Sequence, residues 1–287
     1  MSRAAVVIPT YNRPARLSTC LAALAKLESQ DFEVVVVDDG GEADLTDLIA
    51  PHAAFVRLVR QTNGGPARAR NAGVRATEAE FIAFTDDDCV PEPGWLEGLR
   101  RRGQQDPEAL IGGRVENLLP RDIYASTSQS LTDFLYDFYG AETGDTPFFT
   151  TNNVGCSRQA FLSIGGFDET FPLPAAEDRD LGLRWRASGR RLVYAQDAVV
   201  GHAHGMDLSG FWRQHSNYGK GAYHLHTLMK ARQESTPKIE GLGFYFGLIS
   251  QAFRSGASNP VGQTVLLGLS QVAMVSGYVA QKRASQP

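Results

Sequence analysis

Three short runs, residues 4–8, 34–37 and 81–84, are apolar at consecutive positions and so present apolar side chains to both faces of a strand, and residues 56–59, interrupted by Arg57, read as a further strand between the second and the last. Segments of helical period separate them: Leu17, Leu21 and Leu24 after the first run, Leu45, Leu48 and Ile49 after the second, and residues 66–76 before the fourth. Strands buried on both faces and alternating with helices predict an α/β domain, its mostly parallel central sheet flanked by helices in Rossmann-like fashion. Asn12 as a cap and Pro14 in the first turn mark the start of the first helix.

Beyond residue 110 the pattern loosens. Helices are predicted over 122–139, 157–164 and 178–188, the last two closed by Gly165-Gly166 and by Gly189, with residues 140–151 as a loop and 198–200 as a strand. The last fifty residues change character. Segments 241–253 and 261–280 are rich in Gly, Ala, Leu and Val and almost uncharged, but Gln263, Thr264, Ser270, Gln271 and Ser276 make the second a poor membrane span. They are expected to form a C-terminal helical extension that packs on the main domain, on another copy or against a membrane.

Polar clusters sit just beyond the predicted strands: Thr10-Tyr11-Asn12 after the first, Asp38-Asp39 after the second, and Asp86-Asp87-Asp88 after the fourth. In open α/β sheets ligands bind beyond the carboxyl ends of strands, so the three clusters predict one pocket. Carboxylates about 4 Å apart repel by about 4 kcal/mol at an effective dielectric of 20, so five aspartates gathered there call for a cation. Oxygen ligands suit magnesium, manganese or calcium, and a cation bridging carboxylates to phosphates makes a metal-diphosphate ligand the expectation.

Charge narrows the partners. With 28 basic and 32 acidic side chains, net charge is -4, which offers no field for a nucleic-acid backbone. Cys20, Cys89 and Cys156 are too few and too scattered for a disulfide framework or a zinc site. Five apolar residues before Pro9 are too short for a signal peptide, so a cytoplasmic location, at the inner face of a membrane if the extension reaches one, is expected.

The segments VVIPTYNR (6–13), VVVVDDG (34–40), NGGPARARNAG (63–73), FTDDDC (84–89), GGFDE (165–169) and EDRDLGLRW (177–185) occur in order. Together they resemble the motif series of glycosyltransferase family 2, inverting enzymes of the GT-A fold that use nucleotide sugars. The resemblance implies a GT-A catalytic domain over 1–235, with a nucleotide-binding half at 1–115 and an acceptor half at 116–235, and a helical extension at 236–287. It implies that Pro9, Thr10, Tyr11, Arg13, Asp38 and Asp39 line the nucleotide pocket and that Arg70 approaches the ribose or diphosphate. The 86–88 run resembles the family's DxD motif: Asp86 faces the ribose, Asp88 binds Mn2+ or Mg2+, and Asp87 serves the nucleotide or shares the metal. His202, or His204 beside it, resembles the third metal ligand of several GT-A enzymes. Asp178 matches the general base, at a helix N-terminus expected to keep it ionised, while Glu177 and Asn153 line the acceptor side.

An inverting displacement needs one carboxylate opposite the leaving diphosphate to take the acceptor's proton. The expected reaction is transfer of one sugar from a nucleoside diphosphate sugar, a UDP-sugar by motif, to a glycan or lipid-linked hydroxyl. The WRQHSNYGKG segment (212–221) departs from the QxxRW motif of processive synthases, which points to single additions. The alternatives are a non-catalytic nucleotide-sugar-binding protein on a decayed transferase fold and a nucleotidyltransferase, although 10–17 lacks the glycine-rich loop of the latter.

Overall fold

A computed structural model describes residues 3–29, 31–235, 240–254 and 258–286; the predicted start of the extension at residue 236 lies outside them. In chain order the elements are β1 (Ala4–Thr10), α1 (Pro14–Leu24), β2 (Phe32–Asp38), α2 (Thr46–Ile49), β3 (Val56–Arg60), α3 (Pro66–Arg75), β4 (Phe81–Phe84), β5 (Cys89–Pro91), α4 (Trp95–Gln105), β6 (Leu110–Asn117), α5 (Ile123–Phe138), β7 (Val154–Ser157), α6 (Arg158–Ser163), α7 (Glu177–Ala187), β8 (Leu192–His202), α8 (Leu208–Ala231), α9 (Leu242–Arg254) and α10 (Pro260–Ala284).

The eight strands form one sheet in the order β3-β2-β1-β4-β7-β6-β8-β5. The parallel part is the predicted part: β1 pairs in parallel with β2 and β4, and β2 with β3. The pairs β4–β7, β6–β7 and β5–β8 are antiparallel, so the sheet is mixed rather than mostly parallel. The predicted strands β1, β2 and β4 carry short apolar runs buried between layers, as helices on both faces require, whereas β3 buries only Val56 and exposes Arg57 and Arg60.

Two compact units emerge. The first comprises residues 1–116, 142–172 and 178–203, and the second 117–141, 173–177 and 204–287. In the first, Leu17, Leu21 and Leu24 of α1 and Trp95, Leu96 and Leu99 of α4 join Val6, Ile8, Val34 and Val36 in one core. Strand β6 enters this unit through two glycines: a Cβ at Gly112 would collide with the ring of Phe149, and one at Gly113 with the Asn153 amide and the Ala198 carbonyl. In the second unit, α5, α9 and α10 share a cluster of Leu131, Phe134, Phe244, Leu248, Ala252 and Leu267. Along α8 and α10 the backbones touch, since Gly219 abuts the backbone of Met274 and Gly277 that of Ser216.

Asp122 caps α5 by accepting from the Tyr124 and Ala125 amides, as expected for a helix starting there. Asn12 does not cap α1. It takes a left-handed backbone (φ 54°) and accepts from the Glu42 amide at 2.8 Å, joining the loops that follow β1 and β2.

Candidate active site

The loops after β1, β2 and β4 lie at the same edge of the sheet because these strands run parallel and in register. The three aspartates after β4 diverge. Asp86 meets Arg70, on α3, at 2.7 Å. Asp87 turns inward, accepting from the Thr10 hydroxyl at 2.7 Å, with the Arg13 guanidinium at 3.2 Å. Asp88 lies beside His202, 3.3 Å from carboxylate oxygen to Nε2, while its other oxygen takes Arg13 at 3.1 Å and Arg16 at 2.8 Å.

Strand pairing sets this last contact. In the β5–β8 ladder Cys89 faces His202, and the Ala203 amide donates to the Asp88 carbonyl at 3.0 Å, so residues more than a hundred positions apart become neighbours. Asp88, Cys89 and His202 offer ligand atoms within 4.8 Å of one another.

The aspartates after β2 serve the loops. Asp38 accepts from the Gly41 amide at 2.8 Å and pairs with Arg60 at 2.9 Å. Asp39 accepts from Gln61 at 2.7 Å and from the Gly64 and Gly65 amides at 2.9 Å each, which ties the loop before α3 to the end of β2. Any contact of Asp39 with a nucleotide base competes with those bonds. Pro9 is half-buried in β1, and Tyr11, 47% exposed, is an open aromatic face at the rim.

Residues 5–165 match the family model described as Glycosyl transferase family 2. The chain belongs to that family. A pre-mycofactocin glycosyltransferase of Mycobacterium tuberculosis is 32% identical over 224 residues, 76% of this chain and 46% of that protein. A hyaluronan synthase of Pasteurella multocida is 30% identical over 215 residues, 62% of this chain and 22% of that one. The chain thus spans about half or less of the length of these relatives. In fold it is similar to the mannosyltransferase PcManGT from Pyrobaculum calidifontis, solved in complex with GDP-Man and Mn2+, with a TM-score of 0.67 over 99% of this chain and 88% of that one at 18% identity. The fold is GT-A.

For this family 2 member, charge balance differs from the expectation that crowded carboxylates alone demand a cation. Arg13, Arg16, Arg60 and Arg70 already face Asp38, Asp86, Asp87 and Asp88. The donor chemistry still fits a divalent ion: a carboxylate oxygen and an imidazole nitrogen converge at Asp88 and His202, a set that suits manganese as well as magnesium.

At Asp178 burial opposes the helix N-terminus that is expected to keep it ionised. Burial outweighs the helix N-terminus and raises its pKa above the ordinary carboxylate value, against the opposing charges of Arg179 and Arg70 and the hydrogen bond it accepts from the Arg179 amide at 2.7 Å. Arg70, itself 3% exposed and lying over the Phe167 ring, therefore acts on both Asp86 and Asp178. Burial likewise pushes Asp87 up to about 6, with Arg13 and the Thr10 hydroxyl opposing.

Glu177 is buried at the first position of α7. Asn153 is turned into the protein: its oxygen accepts from the Trp95 indole at 2.8 Å, its nitrogen donates to the carbonyls of Arg114 and Ala198 at 2.8 and 2.9 Å, and it is 1% exposed. That arrangement locks α4, β6 and β8 together and presents nothing to an acceptor.

Sequence reasoning passed over several residues the site depends on. Arg16, in the first turn of α1, joins Arg13, the residue just before that helix, on the same oxygen of Asp88. Asn71 exchanges hydrogen bonds with the Phe167 backbone at 2.8 and 3.0 Å and reaches Glu169 at 3.0 Å, which fastens the GGFDE loop to α3. Arg184 holds the same loop through the Ile164 and Gly166 carbonyls while pairing with buried Asp180 at 2.7 Å.

Proposed function

We propose that this chain is an inverting glycosyltransferase, dependent on a divalent cation, that moves a single sugar from a nucleoside diphosphate sugar to a hydroxyl of a glycan or lipid-linked acceptor. The observation that carries the reading is buried Arg70, which pairs with the DxD-like Asp86 at 2.7 Å and whose charge also acts on Asp178, and this supports one site for the two carboxylates. Mn2+ in the mannosyltransferase of similar fold supports the cation, and the motif likeness supports a uridine nucleotide.

In this reading Pro9, Thr10, Tyr11 and Arg13 shape the nucleotide pocket, Asp86 meets the ribose, and Arg70 and Arg13 face the diphosphate. Asp88 and His202 would hold the cation, which would supply positive charge to offset the negative charge developing on the leaving diphosphate. The acceptor oxygen attacks the anomeric carbon, the bond from that carbon to the diphosphate oxygen breaks, and the diphosphate leaves with the electron pair. Asp178 takes the acceptor's proton. A raised pKa suits that task, because a stronger base accepts the proton more readily.

Calorimetric titration with UDP, GDP and dTDP, each with Mn2+ and again with chelator, tests the donor half of the reading. Cation-dependent binding of one nucleotide is expected. Binding that Asp178→Asn leaves intact, with turnover reduced about 10²-fold or more, separates base from donor pocket. Binding without turnover in the unaltered chain, against every donor sugar of that nucleotide, points instead to a nucleotide-sugar-binding protein.

A further inference from the structure

The second unit carries a surface that the transfer chemistry does not use. On α9, Phe244, Leu248 and Ala252 face inward, while Leu242 (78% exposed), Tyr245, Phe246 (72%), Ile249 and Phe253 (61%) face out. On α10, Gln263, Leu267, Ser270 and Gly277 are buried, while Val261, Val265, Val272, Val275 and Val279 are exposed. Soluble surfaces scatter single apolar residues, but two helices with whole apolar faces outward mark a place where something binds.

Charge says what covers it. Arg254, Lys282 and Arg283 are the only charged side chains from residue 241 to 287, so the segment carries +3 in a chain of net charge -4. All three are exposed and sit in the last turns of α9 and α10. Outward aromatic and aliphatic side chains, cations at the helix ends and no acid are the composition of helices that lie in a lipid interface. We propose that α9 and α10 dock the second unit on an anionic bilayer surface, with the α9 aromatics in the acyl boundary and the three cations among the headgroups.

Two other arrangements fit less well. By length and composition α10 is able to cross a bilayer, but its inner face is committed to α8 by the backbone contacts of Gly219 and Gly277, and a spanning helix would have to abandon them. The outward valines of α10, at successive spacings of four, seven, three and four, also lie on a stripe that suits a second copy. Their neighbours Thr264, Gln271 and Ser276 are uncharged, however, and provide none of the flanking charges that set register between paired helices.

The test is co-flotation of the full chain with vesicles of phosphatidylcholine alone and with about one-third phosphatidylglycerol, at low and at 0.5 M salt, the latter shortening the Debye length to a few ångströms. The expected result is flotation with the anionic vesicles that salt weakens. Replacing the cations in Arg254→Ala, Lys282→Ala, Arg283→Ala together should lower partitioning roughly 100-fold, and Phe246→Ser with Phe253→Ser at least tenfold. These residues are exposed, so circular dichroism and nucleotide binding should be unchanged, which keeps the outcome independent of the transferase reading. Three results overturn the proposal: no flotation with anionic vesicles, flotation that neither variant weakens, or a dimer in light scattering that Val272→Lys dissociates while vesicles bind nothing.

Discussion

Replacing Asn153 by alanine should unfold this protein more readily, not weaken its grip on an acceptor. The amide makes three hydrogen bonds inside the first unit, and two of the partners, the Trp95 indole and the Ala198 carbonyl, belong to residues with no exposed surface. Alanine leaves both without a partner, at about 1–3 kcal/mol each, and water can reach only the third, at exposed Arg114. The removed amide also leaves a void between β6 and β8 where Gly113 was kept bare to receive it. A loss of about 3–5 kcal/mol follows, a large share of a typical domain stability of about 5–15 kcal/mol. Urea unfolding followed by tryptophan fluorescence reads it as a lower midpoint at unchanged slope. Asn152→Ala is the control, since the Asn152 side-chain oxygen has no hydrogen-bond partner, and its cost should stay below about 1 kcal/mol. If Asn153→Ala unfolds at the unaltered midpoint but raises KM for the acceptor, the inward geometry is not what Asn153 is for, and the acceptor role regains its ground.

Asp178 should set the acid limb of kcat/KM. A base works only when ionised and burial raises its pKa, so activity should fall as pH drops through a value above the ordinary 3.8, and Arg70→Gln should move that limb further up by removing an opposing charge; a limb at or below 3.8, or one that Arg70→Gln leaves in place, contradicts this. Asp88→Ala and His202→Ala should each abolish Mn2+-dependent nucleotide binding in calorimetry while leaving the melting temperature within a few degrees, and unchanged affinity in both would remove the cation from this pair. Asn71→Ala should free the GGFDE loop, detected as faster amide exchange at Gly166 and Phe167 and a stability loss of about 1–3 kcal/mol; unchanged exchange would show that Arg184 alone secures the loop.

Strands β1, β2 and β4 carry continuous apolar runs bounded by turn residues, a pattern with few other readings, while β3, interrupted by Arg57, was legible from its place between two helical segments. Strand β6 hid behind Gly112 and Gly113, whose missing side chains are the reason it can sit where it does, and three-residue β5 and four-residue β7 are too short to show a period. Helix α4 buries Trp95, Leu96 and Leu99 but spends its other positions on arginine, glutamine and glycine, which dilutes the signal. In the site, residue types were readable because the chemistry restricts them, as with Asp86, Asp88, Asp178 and His202. Partners were not: that Asp87 faces Thr10 and that Asp88 faces His202 depends on pairings across some 80 to 110 residues, to which no local pattern contributes.

The register of β5 against β8 has a consequence for how the proposed cation site could change. Hydrogen-bonded strands shift only in whole residues, and a slip of one turns His202 to the opposite face of the sheet. Insertions or deletions within β8 therefore switch the ligand pair off outright instead of loosening it. Fine adjustment of the proposed site is left to Arg13, just before α1, and Arg16, on it, which share one oxygen of Asp88 and which no ladder constrains, so substitution there would change the charge around Asp88 while the sheet keeps Asp88 and His202 opposed.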